Sequence, residues 1–406
     1  MTTRETKRKT ELVRTAGKKK GRPNGRPFFV SYGVVDIPPA TSNFPCMSRQ
    51  FFQSGALKLG RALAFGVLLA FPFARSASAQ DGGITHIDTV SAPSLRNNLI
   101  GDPDRRPVTV YLPPSYAKEK HRRYPVVYLL HGFAADHRAF MKGAYQNLNV
   151  RISMDSLIHA GAVKEMIVVT PSARDAFDGS FYINSPVTGN WEDFIVKDLV
   201  SYIDRHYRTI PKRSARGITG HSMGGFGALR VGMRHPETFS AIYMLSACCL
   251  ATVEDMHGII DRPWKAAVGV TDMSQVAKAG FNADIDLALT AAYSPNTSKS
   301  PLYLDFPYRL EGDSLVVDDA VASRWRETPI AMVPKYAASL KRMAIAFDAG
   351  RQDAFKDIPR NVTRLDSMLT SLGVPHSAEL YDGTHGSRFR ARLETKALPF
   401  FSNNLH

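Results

Sequence analysis

The sequence predicts an α/β protein with an open, mostly parallel β-sheet and helices on both faces. Three observations lead to this fold class. Apolar runs of strand type recur along the chain, stretches with helical spacing alternate with them, and a glycine-rich turn, GHSMGG, stands between one such run and a helix-like stretch. Strands that alternate with helices build parallel sheets, because each parallel crossover needs a long connection. In such sheets the ligand site lies beyond the carboxyl ends of the strands.

The elements follow in order from residue 106. The first strand ends at Pro113-Pro114, and the second is an unbroken apolar run, which is typical of a strand covered on both faces. A helix is predicted over 191–207 from apolar residues at helical spacing. Another helix begins at Met223 and stops near Pro236. Each of the following stretches contains a predicted strand, in some cases with the turn or loop that ends it: 106–116, 124–132, 165–173, 216–222, 240–249, 342–350 and 377–386.

The stretch from 251 to about 330 interrupts this alternation. It contains Trp264 and Trp325 and has no clear strand pattern. We expect an insertion over the site, a cap that shapes the substrate pocket.

The N-terminal segment carries most of the net charge of +15. Residues 1–79 hold 14 Lys and Arg against 3 Asp and Glu, whereas residues 80–406 hold 38 against 34. The body therefore lacks the basic balance of a nucleic-acid-binding protein. Residues 1–46 are a disordered basic leader or result from a mis-assigned start, because they are too polar to fold alone. Their GRP sequences also resemble minor-groove AT-hook peptides.

Residues 47–79 have the layout of a secretory signal peptide. A basic start is followed by an apolar run over 62–74 and by the small residues Ala77-Ser78-Ala79. The run is too short to span a bilayer, so no stable membrane insertion is expected after cleavage. A transit peptide is the alternative, because the segment is rich in arginine and poor in acids. We expect a secreted or periplasmic protein whose catalytic domain occupies residues 80–406.

The cysteines predict neither a disulfide framework nor a metal site. Cys46 would be lost with the leader, and Cys248 and Cys249 are adjacent. No Cys/His cluster has the spacing of zinc ligands. The expected site therefore contains no metal and no cofactor.

The turn Gly220-His221-Ser222-Met223-Gly224 matches the G-x-S-x-G pattern of a serine nucleophile. A sharp strand-to-helix turn projects the hydroxyl above the sheet, and bulkier residues at 220 and 224 would clash. The alternative is a phosphate-binding glycine loop, but neither a G-x-G-x-x-G nor a P-loop pattern is present. We therefore predict Ser222 as the nucleophile.

A serine nucleophile needs a histidine base and an orienting acid, in the order Ser, Asp or Glu, His. His385 follows a predicted strand in YDGTHGSRF, which places it at the site. The other downstream histidines are assigned to the surface: His235, His257, His376 and His406. The stretch FDAGRQDAF offers Asp348 and Asp353 as the acid, and spacing alone does not separate them.

Two backbone amides are expected to form an oxyanion hole. The Met223 N–H opens the helix after the nucleophile, and the Phe133 N–H lies in an early strand-to-helix loop. His131 is expected to brace that loop by hydrogen bonding.

These motifs together resemble the esterase D-like branch of the α/β-hydrolases. The resemblance rests on VYLPPSY, YPVVYLLHGF, NSPVTGNWEDFIVKDLVSYIDRHYRT, GHSMGGFGAL, FDAGRQDAF and GTHG. It implies an α/β-hydrolase fold and makes Asp353 the triad acid, with Asp348 shaping the turn. Trp191 is assigned to substrate binding. The branch includes feruloyl and acetyl esterases, mycolyltransferases and S-formylglutathione hydrolases. This chain lacks the G-A-G-F-Y stretch of the last group, which disfavours glutathione thioesters.

The expected function is that of an exported serine esterase that acts on a small-molecule or glycan-linked ester through an acyl-enzyme. An acyltransferase of the mycolyltransferase type would use the same triad, and a non-catalytic binding protein on this scaffold would have lost a triad member. No nucleic-acid partner is expected, and the sequence leaves the oligomeric state open.

Overall fold

The computed structural model describes residues 82–143, 145–251 and 264–406. The predicted basic leader and signal peptide, over 1–46 and 47–79, lie outside the described residues. The strands are β1 (Ile84–Ser91), β2 (Arg105–Leu112), β3 (Val126–Leu130), β4 (Ile167–Pro171), β5 (Asn184–Ser185), β6 (Gly189–Asn190), β7 (Arg216–His221), β8 (Ala241–Leu245), β9 (Tyr308–Glu311), β10 (Ser314–Val317), β11 (Ala344–Gly350) and β12 (Ser377–Tyr381).

Helices connect most of these strands. They are α1 (Val150–His159), α2 (Trp191–Asp193), α3 (Val200–His206), α4 (Met223–Arg234), α5 (Trp264–Val268), α6 (Met273–Ala279), α7 (Phe281–Tyr293), α8 (Asp319–Ala322), α9 (Pro329–Leu340), α10 (Asp357–Ser371), α11 (Phe389–Arg392) and α12 (Leu398–Asn404). The π-helical segment Phe194–Leu199 joins α2 to α3, so the chain is helical from 191 to 206, one residue short of the predicted helix.

The central sheet has eight strands in the order β1-β2-β4-β3-β7-β8-β11-β12. Every pair from β4 to β12 is parallel, whereas β1 and β2 pair antiparallel to each other, as do β2 and β4. The prediction of a mostly parallel sheet is therefore confirmed. The edge strand β1 was not predicted, because most of its residues are exposed and it carries no apolar run.

Helices cover both faces of the sheet because successive strand residues point to opposite sides. On β3, Val126 and Tyr128 belong to the core that includes the α4 residue Phe226. Val127 and Leu129 belong to the core on the other face, which includes α1 and α12. The two cores fix the sheet, and the loops at its carboxyl edge carry the candidate site.

The segment that follows β8 is more regular than expected. Its described part contains four short or medium helices, α5 to α8, and the antiparallel hairpin of β9 and β10. The expectation that it lacks a strand was wrong, because a two-stranded hairpin of four-residue strands leaves little periodic signal. A cluster of buried aromatic side chains holds this part together: Trp264, Tyr293, Tyr308 and Trp325.

Candidate active site

The turn between β7 and α4 holds Ser222 in an unusual backbone conformation. Its φ is 57° and its ψ is −117°, a region that costs a non-glycine residue about 1–3 kcal/mol. Hydrogen bonds on both sides of the residue hold this conformation. The Ser222 N–H donates to the Leu245 carbonyl at 3.0 Å, and its carbonyl accepts from the Phe226 N–H at 3.0 Å. Such strain persists where the surroundings over-determine it, and this marks the turn as a candidate functional site.

The two outer glycines of the turn leave no room for a side chain. A Cβ on Gly220 would lie 2.4 Å from the Gly224 backbone and 2.7 Å from the Leu130 carbonyl oxygen. A Cβ on Gly224 would lie 2.1 Å from that same oxygen. These neighbours are buried backbone atoms of strand β3 and of the first turn of α4, and they cannot move aside. The close approach of β3 to the turn therefore requires glycine at both positions.

His385 and Asp353 meet across the loops that follow β12 and β11. The His385 Nδ1 lies 2.8 Å from the Asp353 Oδ2. Asp353 is fully buried, and its Oδ1 accepts a hydrogen bond from the Phe355 N–H at 2.9 Å. The Phe355 ring packs edge-on against the imidazole with ring centroids 5.2 Å apart. A carboxylate at Nδ1 makes that nitrogen the donor, which leaves Nε2 unprotonated in the neutral ring.

Asp348, the alternative acid, points elsewhere. Its Oδ2 accepts from the Tyr243 hydroxyl at 2.7 Å and from the Arg392 Nε at 3.0 Å. Burial raises the pKa of the Asp348 carboxyl, whereas Arg392 opposes that rise. The expectation that Asp348 shapes its own turn was wrong, because its carboxylate bridges β8 to α11. A spacing argument could not separate the two aspartates, since partners from distant elements decide their roles.

His221 contributes to the site in a way that the sequence did not indicate. Its Nε2 donates to the carbonyl of His385 at 2.8 Å, and the two rings lie 4.6 Å apart. Burial lowers the pKa of His221 to about 3, with a smaller contribution from His385. The neutral ring therefore anchors the backbone of the residue that pairs with Asp353. Residue 221 is a position of the G-x-S-x-G pattern where any residue is allowed, so the pattern does not predict this contact.

His131 braces the loop that contains Phe133, as expected. Its Nδ1 donates to the Gly132 carbonyl at 2.8 Å, and its Nε2 accepts from the Ala173 N–H at 2.8 Å. Burial lowers the pKa of this imidazole to about 4, so one nitrogen donates while the other accepts. This histidine ties the loop after β3 to the loop after β4.

The loop after β4 packs directly on Phe133 and Met223. A Cβ on Gly179 would lie 2.6 Å from the Met223 Sδ and 2.6 Å from the Phe133 Cδ2. Asp175 fixes this loop, because its Oδ1 accepts from the Phe177 and Gly179 N–H groups at 3.0 Å each. The loop thus supports both residues whose amides were predicted to form an oxyanion hole.

A pocket of about 170 Å³ opens beside Ser222 and His385. Much of its wall is aromatic, and the segment after β8 contributes Phe281 and Ile285 from α7. The Phe133 and Phe281 rings meet edge to face with centroids 5.6 Å apart. The predicted cap is therefore part of the pocket wall. The full lining is Gly132, Phe133, Tyr145, Phe181, His221, Ser222, Cys248, Cys249, Phe281, Ile285, Phe355 and His385.

Trp191 does not reach this pocket, so its assignment to substrate binding was wrong. The side chain is fully buried, its Nε1 donates to the Thr188 carbonyl at 2.8 Å, and the Arg106 guanidinium lies 4.7 Å from the ring centroid. Trp191 begins an amphipathic helix, and its side chain packs into the protein core.

Among residues 82–143, 145–251 and 264–406, no helix is both long and apolar enough to span a bilayer. In the same part of the chain, no group of three or more His, Cys, Asp or Glu side chains could hold a metal ion.

The sheet order and the serine turn together define an α/β-hydrolase fold, which confirms the predicted fold class. A solved structure of a ferulic acid esterase has this fold. It aligns with 80% of this chain and 99% of its own, with a TM-score of 0.56 and 24% sequence identity.

The family follows from the sequence comparison. The Esterase family model, described as "Putative esterase", matches residues 103–398, so the chain belongs to that family. This confirms the resemblance to the esterase D-like α/β-hydrolases. Esterase Rv1288 of Mycobacterium tuberculosis (strain H37Rv) is 33% identical over 141 residues, 33% of this chain and 27% of that protein. An endo-1,4-beta-xylanase/feruloyl esterase of Xylanibacter ruminicola is 32% identical over 142 residues, 34% of this chain and 19% of that protein. The match thus spans about a quarter or less of these curated relatives.

The buried Asp175 generates a test of pH dependence. Burial, with a smaller contribution from the neighbouring Asp102, raises the pKa of its carboxyl to about 7. The folded protein thus keeps a proton that the unfolded chain releases near pH 4. This group's contribution to the free energy of unfolding therefore falls as the pH rises from about 4 to about 7, by about 1.4 kcal/mol for each pH unit.

Asp175→Asn removes this titration. We expect the variant to gain stability relative to the wild type as the pH rises over that range, measured by urea unfolding at a series of pH values. Asp319→Asn replaces an exposed carboxylate and is the matched control. A stability difference between Asp175→Asn and the wild type that stays constant with pH would contradict the assignment.

Proposed function

We propose that this protein is a serine carboxylic-ester hydrolase. The observation that carries the proposal is the common pocket of Ser222 and His385, with Asp353 hydrogen-bonded to the far nitrogen of the imidazole. The esterase names of its curated relatives agree with this reaction. Nucleophile, acid and base follow one another along the chain as Ser222, Asp353 and His385, which is the order that the α/β-hydrolase triad uses.

The proposed reaction begins when Ser222 attacks the ester carbonyl and His385 Nε2 accepts the hydroxyl proton. Asp353 holds the tautomer with the proton on Nδ1 and stabilises the imidazolium that forms. The Phe133 and Met223 N–H groups then donate to the oxyanion. His385 returns its proton to the leaving alcohol, and an acyl-enzyme remains on Ser222. Water, activated by the same imidazole, releases the acid.

The pocket lining supports an ester with an apolar or aromatic acyl group. Four phenylalanines and one tyrosine surround the space beside Ser222: Phe133, Tyr145, Phe181, Phe281 and Phe355. Aromatic walls stabilise planar rings by edge-to-face and offset contacts, and alkyl chains by burial of apolar surface. One curated relative and one structural neighbour are named for feruloyl or ferulic acid ester cleavage, which agrees with a planar aromatic acyl group.

Ser222→Ala tests the nucleophile. We expect kcat to fall by several orders of magnitude, up to about 10⁶-fold, because the triad acts as a unit. The assay uses p-nitrophenyl esters from acetate to palmitate and a feruloyl ester, which also ranks the acyl groups. Labelling by a fluorophosphonate should occur in the wild type and in the exposed control Ser371→Ala, and be absent from Ser222→Ala. Retention of more than about a tenth of the wild-type rate would exclude Ser222 as the nucleophile.

The two aspartates are expected to respond differently. Asp353→Asn should lower kcat by about 10⁴-fold, because the amide favours the wrong imidazole tautomer. Asp348→Asn leaves the buried Arg392 with a weaker partner and should lower the free energy of unfolding by about 1–3 kcal/mol. The folded Asp348→Asn enzyme should keep a kcat close to that of the wild type. Steady-state kinetics and urea unfolding of both variants provide the test, and reversed losses would make Asp348 the acid.

We also propose that the protein is exported, with secretion or a periplasmic location as the outcome. The support is the Ala77-Ser78-Ala79 sequence behind a short apolar run. The mature chain is then expected to begin at Gln80. Intact-mass measurement of protein from its native host is the test, and a main product that retains residues 1–46 would contradict export.

A further inference from the structure

Two cysteines line the candidate active-site pocket, and the proposed mechanism uses neither. Cys248 and Cys249 follow β8 and share the pocket wall with Ser222 and His385. They are 7% and 4% exposed, and neither is joined in a disulfide. Reagents that reach these thiols in the folded protein would therefore enter through the pocket.

The backbone explains how adjacent side chains reach the same pocket. In an extended chain, neighbouring side chains point to opposite sides. Cys249 instead has a φ of 59°, in the left-handed region, and Ser246 has a φ of 45°. This turn departs from the extended conformation, so two consecutive thiols can line one wall.

The loop is held against the serine turn. The Cys248 N–H donates to the Ser222 carbonyl at 3.3 Å, and the Ser246 N–H donates to the Asp348 carbonyl at 2.8 Å. Ala247 packs on Gly225 so closely that a Cβ there would lie 2.8 Å from the Ala247 Cβ. The loop therefore cannot withdraw without disturbing the serine turn, so the pocket wall at Cys248 and Cys249 cannot move back to make room for an added group.

We propose that Cys248–Cys249 is a site of reversible thiol modification by small disulfides and thiosulfonates, and that the modification closes the pocket. A thiolate attacks one sulfur of the reagent, a new S–S bond forms to the protein, and the other half of the reagent leaves as a thiolate or sulfinate. A dithiol such as dithiothreitol reverses the step by exchange. Only the rate readout depends on the proposed esterase function, since the adduct is detected by mass.

The test uses methyl methanethiosulfonate on full-length protein that carries Cys46→Ser. That substitution removes a thiol outside the described residues. The reaction transfers a methylthio group to a protein thiolate and releases methanesulfinate. Peptide mass spectrometry is expected to place the methylthio group on Cys248 or Cys249. We expect kcat/KM for a p-nitrophenyl ester to fall about a hundredfold, because a displaced acyl group loses its attack geometry, and to recover with dithiothreitol.

Three variants, Cys248→Ser, Cys249→Ser and the double variant, identify the responsible thiol. Each is compared with its own untreated sample, since both positions line the pocket and the substitutions can alter the starting rate. The double variant should keep its full untreated rate after treatment. Phosphonylation of Ser222 beforehand should slow the thiol reaction, because both groups occupy the same space.

Three outcomes would overturn the inference. The first is that methyl methanethiosulfonate forms no adduct at Cys248 or Cys249 in the native protein, although it modifies them in the denatured protein. The second is an adduct that leaves kcat/KM unchanged, and the third is inhibition that persists in the double variant. A protein that forms the adduct but hydrolyses no ester before treatment would instead refute the proposed function, while the mapped adduct would still support the thiol site.

Discussion

The close approach of the serine turn to strand β3 is the constraint on which the rest of the site depends. The Leu130 carbonyl oxygen would lie only 2.7 Å from a Cβ on Gly220 and 2.1 Å from a Cβ on Gly224, so both positions require glycine. Within this turn, backbone hydrogen bonds to Leu245 and Phe226 hold Ser222 at a φ of 57°. Strain of this kind is retained only where packing on several sides leaves the chain no alternative. The cores on both faces of the sheet supply that packing, and they thereby set the direction of the serine side chain.

Two buried, neutral histidines hold the loops around the serine turn in place by hydrogen bonds to backbone groups. His131 links the loop after β3 to the loop after β4, and His221 holds the carbonyl of His385. Burial lowers the pKa of both rings, to about 4 and about 3, so each remains neutral. A neutral imidazole donates from one nitrogen and can accept at the other, which suits it to bridging backbone groups. His385 differs because its Nδ1 faces a carboxylate, and that contact prepares it for a base's role in the proposed mechanism.

The segment after β8 gives this α/β-hydrolase its particular pocket. Phe281 and Ile285 come from α7 and complete a wall that the sheet loops begin. Aromatic packing among Trp264, Tyr293 and Trp325 stabilises the segment behind them. Specificity and susceptibility to thiol reagents would therefore both depend on chain segments that follow β8, while the chemical groups belong to the common fold. This division explains how one fold can support different substrates.

The sequence by itself determined the fold class, the serine turn and the histidine loop. Unbroken apolar strands, helical periodicity and glycines flanking Ser222 are local signals, because each arises from the conformation of a few neighbouring residues. Spacing left Asp348 and Asp353 open, and only the family resemblance favoured Asp353. The contact between His385 and Asp353 depends on the tertiary structure, in which Arg392 and Tyr243 come from elsewhere in the chain to bind Asp348. The tertiary structure also assigned Trp191 to the core and revealed the anchoring role of His221. These contacts join residues that are far apart in the chain. The spacing of residues within one segment therefore cannot predict them, because long-range packing decides which side chains meet.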